Sequence, residues 1–180
     1  MKSLIQQVIK GKAKAQNEFY DTYSPLVMGV CVRYLGKTDI ANDAFQEAFV
    51  KIFKSLKHLK DEKAIHGWIK RITVNTALDH IKPNNQNIGL DLTHHELSDD
   101  FYCDLIDRMS EESILEVIGK LPEGYQAIFN LHVIDGFSHK EIAEKLNIAE
   151  STSRSQLTHA KRILRKYLNE IGITNYEKVI

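Results

Sequence analysis

Residues 138–164 read SHKEIAEKLNIAESTSRSQLTHAKRIL. Ser138 and Glu141 form an S-x-x-E capping box, which marks a helix start. Ile142, Ala143 and Leu146 follow as a narrow apolar face. Asn147 then interrupts the pattern, and asparagine tolerates the left-handed backbone that a sharp turn demands. Beyond it Leu157, Ala160, Leu164 and Leu168 recur at core spacing. Arg154, Thr158, Lys161 and Arg165 are expected on one outward stripe, with Ser155, His159, Arg162 and Lys166 beside it. No acid appears between Ser151 and Asn169. Two short helices, a tight turn and a one-sided basic stripe predict a helix-turn-helix, whose second helix enters the DNA major groove by its N-terminal turns. Arg and Ser there can reach base edges, while Lys and Arg further along neutralise phosphates. An ordinary solvated helix also carries Lys and Arg, so the stripe gains its meaning from the turn before it.

The chain around this pair has 180 residues and a formal net charge of +0. That neutrality is a sum of unlike parts. Residues 1–82 carry 14 Lys and Arg against 8 Asp and Glu; residues 83–112 carry 1 against 8; residues 113–180 carry 9 against 8. A basic front, an acidic middle and a locally basic tail suggest polyanion contact at some faces and a nucleic-acid-like strip between them. No apolar run approaches the roughly 20 residues needed to span a bilayer. The N-terminus has no secretory pattern. Cys31 and Cys103 lie far apart and no Cys/His spacing matches a zinc site, so both are expected as reduced thiols in a cytosolic protein.

Only three prolines and nine glycines punctuate the sequence, and nothing alternates as a strand. Helices are expected near 3–10, 14–35, 39–58, 65–82, 111–120, 123–135, 138–146 and 149–169. Pro83 and the asparagines after it stop a helix. The expected fold is all-α: two small helical domains, 1–82 and 111–180, joined by a flexible acidic linker over 83–110, with the helix-turn-helix in the second.

Two helices of the first domain carry candidate sites. In DIANDAFQEAFVKIFKSLK (39–57), Ala41, Phe45, Ala48, Ile52 and Leu56 form a buried stripe. Asp43, Gln46, Glu47 and Val50, with Lys54, lie on another face that can dock a basic partner helix. In IHGWIKRITVNTALDHIK (65–82), Ile65, Ile69, Ile72, Val74, Leu78 and Ile81 are read as core. Trp68, Arg71, Asn75, Asp79 and Lys82 fall on one stripe that mixes a ring, an amide and cations. Such a mixture can stack a base, hydrogen-bond its edge and hold phosphates.

Taken in order, these segments resemble the extracytoplasmic-function class of bacterial sigma factors. DIANDAFQEAFVKIFK is similar to region 2.2 of that family, IHGWIKRITVNTALDHIK to regions 2.3 and 2.4, and LPEGYQAIFNLHVIDGFSHKEIAEKLNIAESTSRSQLTHAKRIL to region 4. The resemblance spans nearly the whole chain except the linker. It implies a factor that binds core RNA polymerase, brings it to promoter DNA and helps open the duplex, with no catalytic residues, cofactor, metal or small-molecule substrate of its own. Asp43, Gln46, Glu47 and Val50 are then the expected contacts to the β′ clamp helices, while other parts of the chain meet β and β′ as the linker threads toward the active-site cleft. Asn75, with Trp68, Arg71, Asp79, Lys82 and the loop 61–67, is expected to capture a flipped base of the −10 element. Arg154, Ser155, Thr158, His159, Lys161 and Arg162 are expected at the −35 element. The class also implies an anti-sigma factor, often membrane-bound, and a cytoplasmic protein sometimes held at the inner membrane face.

Three positions depart from the family pattern. Ala149 stands where Ser or Pro usually begins the recognition helix, which leaves a poor N-cap. Ser153 stands where Val is usual, and His159 where Arg is common. Two other readings fit the sequence less well. A different helix-turn-helix regulator, such as a response regulator, needs an α/β receiver domain that residues 1–82 do not show. A helical adaptor protein lacks a repeat and leaves the basic face unexplained.

Overall fold

The computed structural model describes residues 3–81 and 110–170, without the side chains of residues 111, 112 and 114. The linker expected over 83–110 therefore lies almost wholly outside the described residues, as do Lys82 and Cys103. The chain divides into two compact units, 1–82 and 83–180. Among the described residues every regular element is helical.

The first unit contains α1 (Leu4–Ile9), α2 (Ala13–Leu35), α3 (Asp39–Ser55) and α4 (Ile65–Asp79). Ser3 caps α1 by accepting from Gln6 N at 3.2 Å. Thr38 does the same for α3, accepting from Ala41 N at 3.2 Å. Gly36 ends α2 with φ +70°, a backbone that side-chain-bearing residues rarely adopt. The helix predicted over 39–58 stops as α-helix at Ser55, and one tighter turn, Leu56–His58, completes it.

The apolar stripe of α3 is buried as its spacing predicts: Ala41, Phe45, Ala48, Ile52 and Leu56 are all within the core. They pack against Phe19, Tyr23, Val27 and Cys31 of α2 and Ile65 and Ile69 of α4. Tyr20 meets Phe49 at 4.5 Å between ring centroids, and Phe45 meets Phe49 edge-on at 5.1 Å. Such tilted aromatic pairs add to the burial of their area. Cys31 is a free thiol buried in this core, and burial pushes its pKa up to about 11, so it is inert near neutral pH. On α4 Ile65, Ile69 and Val74 are buried in the core as expected, whereas Ile72, Leu78 and Ile81 are only partly buried. Thr73 and Thr76 are buried instead, and each hydroxyl donates to the carbonyl one turn back, Ile69 O and Ile72 O. That local bond lets a hydroxyl enter a core without an unsatisfied donor.

The second unit contains α5 (Glu111–Gly119), α6 (Glu123–Phe129), α7 (His139–Leu146) and α8 (Glu150–Glu170). The helix expected over 123–135 changes character at Asn130. From Asn130 to Ile134 its turns widen, with Asp135 N bonded to Asn130 O at 2.9 Å. Ile128, Phe129, Asn130 and Leu131 are consecutive and all fully buried, which a uniform 3.6-residue period with one wet face would not give. The core closes with Val117, Ile118, Tyr125, Ile142, Leu157, Ala160, Leu164 and Leu168. No described helix is long and apolar enough to cross a membrane.

Candidate docking and nucleic-acid surfaces

On α3, the core stripe turns the opposite face outward. Asp43, Gln46 and Val50 are exposed, Val50 at 51% despite being apolar. Glu47 is partly exposed and is not alone. Lys51 Nζ lies 2.8 Å from Glu47 Oε1 and 3.0 Å from Asp79 Oδ2 on α4. His80 Nε2 lies 2.8 Å from Glu47 Oε2. Hydrogen bonds from Lys51 and His80 hold the Glu47 carboxyl below its ordinary pKa, and the bond to Glu47 raises that of Lys51. The structure thus joins Glu47 and Asp79, which the sequence placed on separate surfaces. Lys51 is the group that joins them. Its signal was present in the sequence, since it sits four residues after Glu47 on one helix.

On α4, Arg71, Asn75 and Asp79 are exposed along one stripe, as expected. Trp68 is half-buried and packs against the core, so only part of its ring is presented. Lys82, the fifth member, lies outside the described residues. The loop ahead of α4 is tied down. Asp61 Oδ1 accepts from Lys63 N at 2.9 Å, and Glu62 Oε1 accepts from Ser3 Oγ at 2.8 Å across the unit. His66 sits edge-on to Tyr23 at 5.2 Å.

In the second unit the capping box forms in full: Glu141 N donates to Ser138 Oγ at 3.3 Å and Ser138 N donates to Glu141 Oε2 at 2.9 Å. Asn147 adopts the left-handed conformation, φ 52° and ψ 49°. The turn read from the sequence is the turn in the structure. Ile142 on α7 is fully buried, as are Ala160, Leu164 and Leu168 on α8.

The outward stripe of α8 is narrower than expected. Arg154 and Arg162 are exposed, and Ser155 and Thr158 are partly exposed. Arg154 Nη2 is paired with Glu150 Oε1 at 2.5 Å. Lys161, expected on this stripe, is 8% exposed, and so is His159. The outward placement of both is corrected. The reason for His159 is a partner that the helical spacing of α8 cannot reveal: its ring stacks on Tyr125 of α6, 5.8 Å between centroids at 15°. Lys161 shares the buried side with Leu157, Ala160 and Leu164, so its stem runs within the packing. Ser153 is fully buried, and its Oγ lies 2.9 Å from His139 Nδ1. His139 in turn stacks on His132 at 4.3 Å. The small polar group in place of Val is therefore bonded, not stranded. Ala149 precedes Glu150 and offers no side-chain cap; its carbonyl accepts from Ser153 N at 3.1 Å.

The second unit thus holds a helix-turn-helix with an exposed arginine at the front of its second helix. The first unit holds an acidic and apolar helix face beside a stripe with a ring, a guanidinium and an amide. Comparison with known proteins gives the following. Residues 19–86 match Sigma-70 region 2, and residues 111–164 match Sigma-70, region 4. The chain is similar to the ECF RNA polymerase sigma-E factor of Haemophilus influenzae, 28% identical over 181 residues, covering 94% of this chain and 95% of that one. It is also similar to the ECF RNA polymerase sigma factor SigW of Bacillus subtilis, 28% identical over 186 residues, covering 95% and 98%. Among solved structures, CnrH in complex with the cytosolic domain of CnrY matches with a TM-score of 0.47 and 18% identity, covering 93% and 96%.

Proposed function

The chain belongs to the sigma-70 family, in its extracytoplasmic-function class, and is a promoter-recognising initiation factor that works with core RNA polymerase; from that premise we propose how its residues divide the work. Residues 1–82 act as region 2, residues 83–110 as the linker and residues 111–180 as region 4. The exposed face of α3, with Asp43, Gln46, Glu47 and Val50, docks on the polymerase clamp. Its mixture of carboxylates, an amide and one exposed apolar side chain suits a basic partner helix.

On α4, Asn75 hydrogen-bonds a flipped −10 base while Trp68 and Arg71 support it by stacking and phosphate contact. Extracting a base costs a few kcal/mol, which stacking and hydrogen bonding offset. Asp79 acts through Lys51, which neutralises it beside the DNA. Lys82 supplies a further phosphate contact. On α8, Arg154, Ser155 and Thr158 read the −35 element and Arg162 holds backbone phosphate. His159 and Lys161 support that surface from within the unit.

The chemistry of transcription stays with the polymerase, and the protein itself catalyses nothing. An anti-sigma factor holds it inactive in the cytoplasm, at times against the inner membrane face.

The observation that carries the −35 assignment is the formed capping box and left-handed Asn147 ahead of an exposed Arg154. Run-off transcription with purified core polymerase tests the whole. A product starting at a defined promoter is expected. Absence of product from every promoter fragment of its own genome overturns the proposal. Within that assay Asn75→Ala slows opening more than closed-complex binding, and equal loss of both removes Asn75 from the base-capture role.

A further inference from the structure

The first turn of α8 carries an acid that the −35 reading does not use. Glu150 lies one helical turn before Arg154, and their side chains meet at 2.5 Å. Both are open to solvent, at 47% and 63% of their side-chain surface. From Ser151 to Asn169 the helix holds no other carboxylate. An exposed pair of this kind contributes little to folding. Placed near phosphates, its negative charge also opposes binding. Glu150 therefore stands where an acid is unhelpful to plain affinity.

We infer that Glu150 is a positioning residue that sets base specificity, by holding the Arg154 guanidinium as a guanine reader. The inference rests on the reading of α8 as the −35 recognition helix. Arg presents five N–H donors in a rigid fork. One Nη2–H is occupied by Glu150. The remaining fork edge is free to donate to guanine O6 and N7 together, the pairing that distinguishes guanine in the major groove. A tethered guanidinium samples fewer rotamers, so it pairs less readily with a lone phosphate or with another base. Glu150 thus lowers general DNA affinity and raises discrimination.

These two effects have opposite signs, and that separates a positioning role from a structural one. The test uses the full chain in holoenzyme with core polymerase, bound to a duplex library randomised over the −35 element and to unrelated duplex DNA. The native protein selects guanine at one position, and Arg154→Lys loses that selection while keeping its charge. Glu150→Gln lowers the ratio of guanine to other bases at that position by about three- to tenfold, a fraction of a full bidentate pair. The same variant binds unrelated duplex about two- to fivefold more tightly at low salt. Its melting temperature falls by a few degrees at most, since the pair is exposed and only the carboxylate's favourable place in the first turn of α8 is lost. A guanine ratio within twofold of the native one, or joint loss of specific and general binding, overturns the role of Glu150. If the native protein selects no base there, the −35 reading of α8 falls and the inference falls with it.

Discussion

Ser153 is sealed between α7 and α8, and the His139 ring is its hydrogen-bond partner. A buried hydroxyl without a partner is costly, so the two residues are coupled. Ser153→Ala removes the bond and leaves little void; a loss of about 1 kcal/mol is expected by thermal melting. An unchanged melting temperature would show that the bond contributes nothing net. His159 gives a second residue-scale prediction. Its ring is buried against Tyr125, so His159→Ala should destabilise the second unit by about 1–2 kcal/mol in urea. Loss of DNA affinity with no loss of stability would return His159 to the surface role that its position on a basic helix first suggested. Helical spacing placed Leu157, Ala160, Leu164 and Leu168 correctly because their neighbours are apolar whichever helix packs there. It misplaced His159 and Lys161 because the width of a buried face depends on the partner, here α6, and one helix's sequence does not state its partner.

At the scale of the element, the turn between α7 and α8 and the brace between α3 and α4 carry different energies. Asn147 holds a left-handed backbone that costs an L residue roughly 1–2 kcal/mol unless its side chain is short and polar. Asn147→Gly should leave stability within about 0.5 kcal/mol, while Asn147→Ala should lower it by about 1 kcal/mol. Equal melting of the two variants would show that the turn relaxes. This element was legible before folding, because a capping box and an asparagine at the turn are local signals. The brace was not legible as a whole. Glu47 and Lys51 are visible as an i,i+4 pair, but Asp79 and His80 reach them from another helix.

Lys51→Met should lower stability by less than about 1 kcal/mol, since Lys51 and Glu47 are each around two-fifths exposed and screened by solvent. Sign follows from the direction of each shift. The Glu47 carboxyl is held below its usual value, so its stabilisation is present above that value and is lost as pH falls through and below the ordinary carboxylate range. Lys51 is shifted up, so its share is present below its usual value and is lost only at strongly alkaline pH. The difference between native protein and Lys51→Met should therefore be widest at neutral pH and close in acid. A difference that persists below about pH 3 would show that packing of the Lys51 stem, not its charge, is what the variant removes.

At the scale of the whole molecule, the zero net charge is a device of distribution. A reader of DNA benefits from a basic surface, and both structured halves hold one locally. The segment 83–110 carries Asp91, Glu96, Asp99, Asp100, Asp104 and Asp107 against the single Arg108. Tethered to a basic first unit and to a second unit whose basic residues gather on α8, these carboxylates are expected to compete with phosphates for the same cations. Converting the six to Asn or Gln removes six negative charges and takes the chain from zero to +6. Each cation freed from such competition strengthens binding through counterion release. The free variant should bind unrelated duplex DNA several-fold more tightly than the native chain at about 0.05 M salt, with a steeper fall as salt rises. The gap should close near 1 M salt, where charges beyond about 3 Å no longer interact. Equal binding of the two proteins at low salt would show that the acidic segment does not shield either unit in the free chain. This organisation is legible in composition alone, because a run of like charge acts through its field and not through a particular packing.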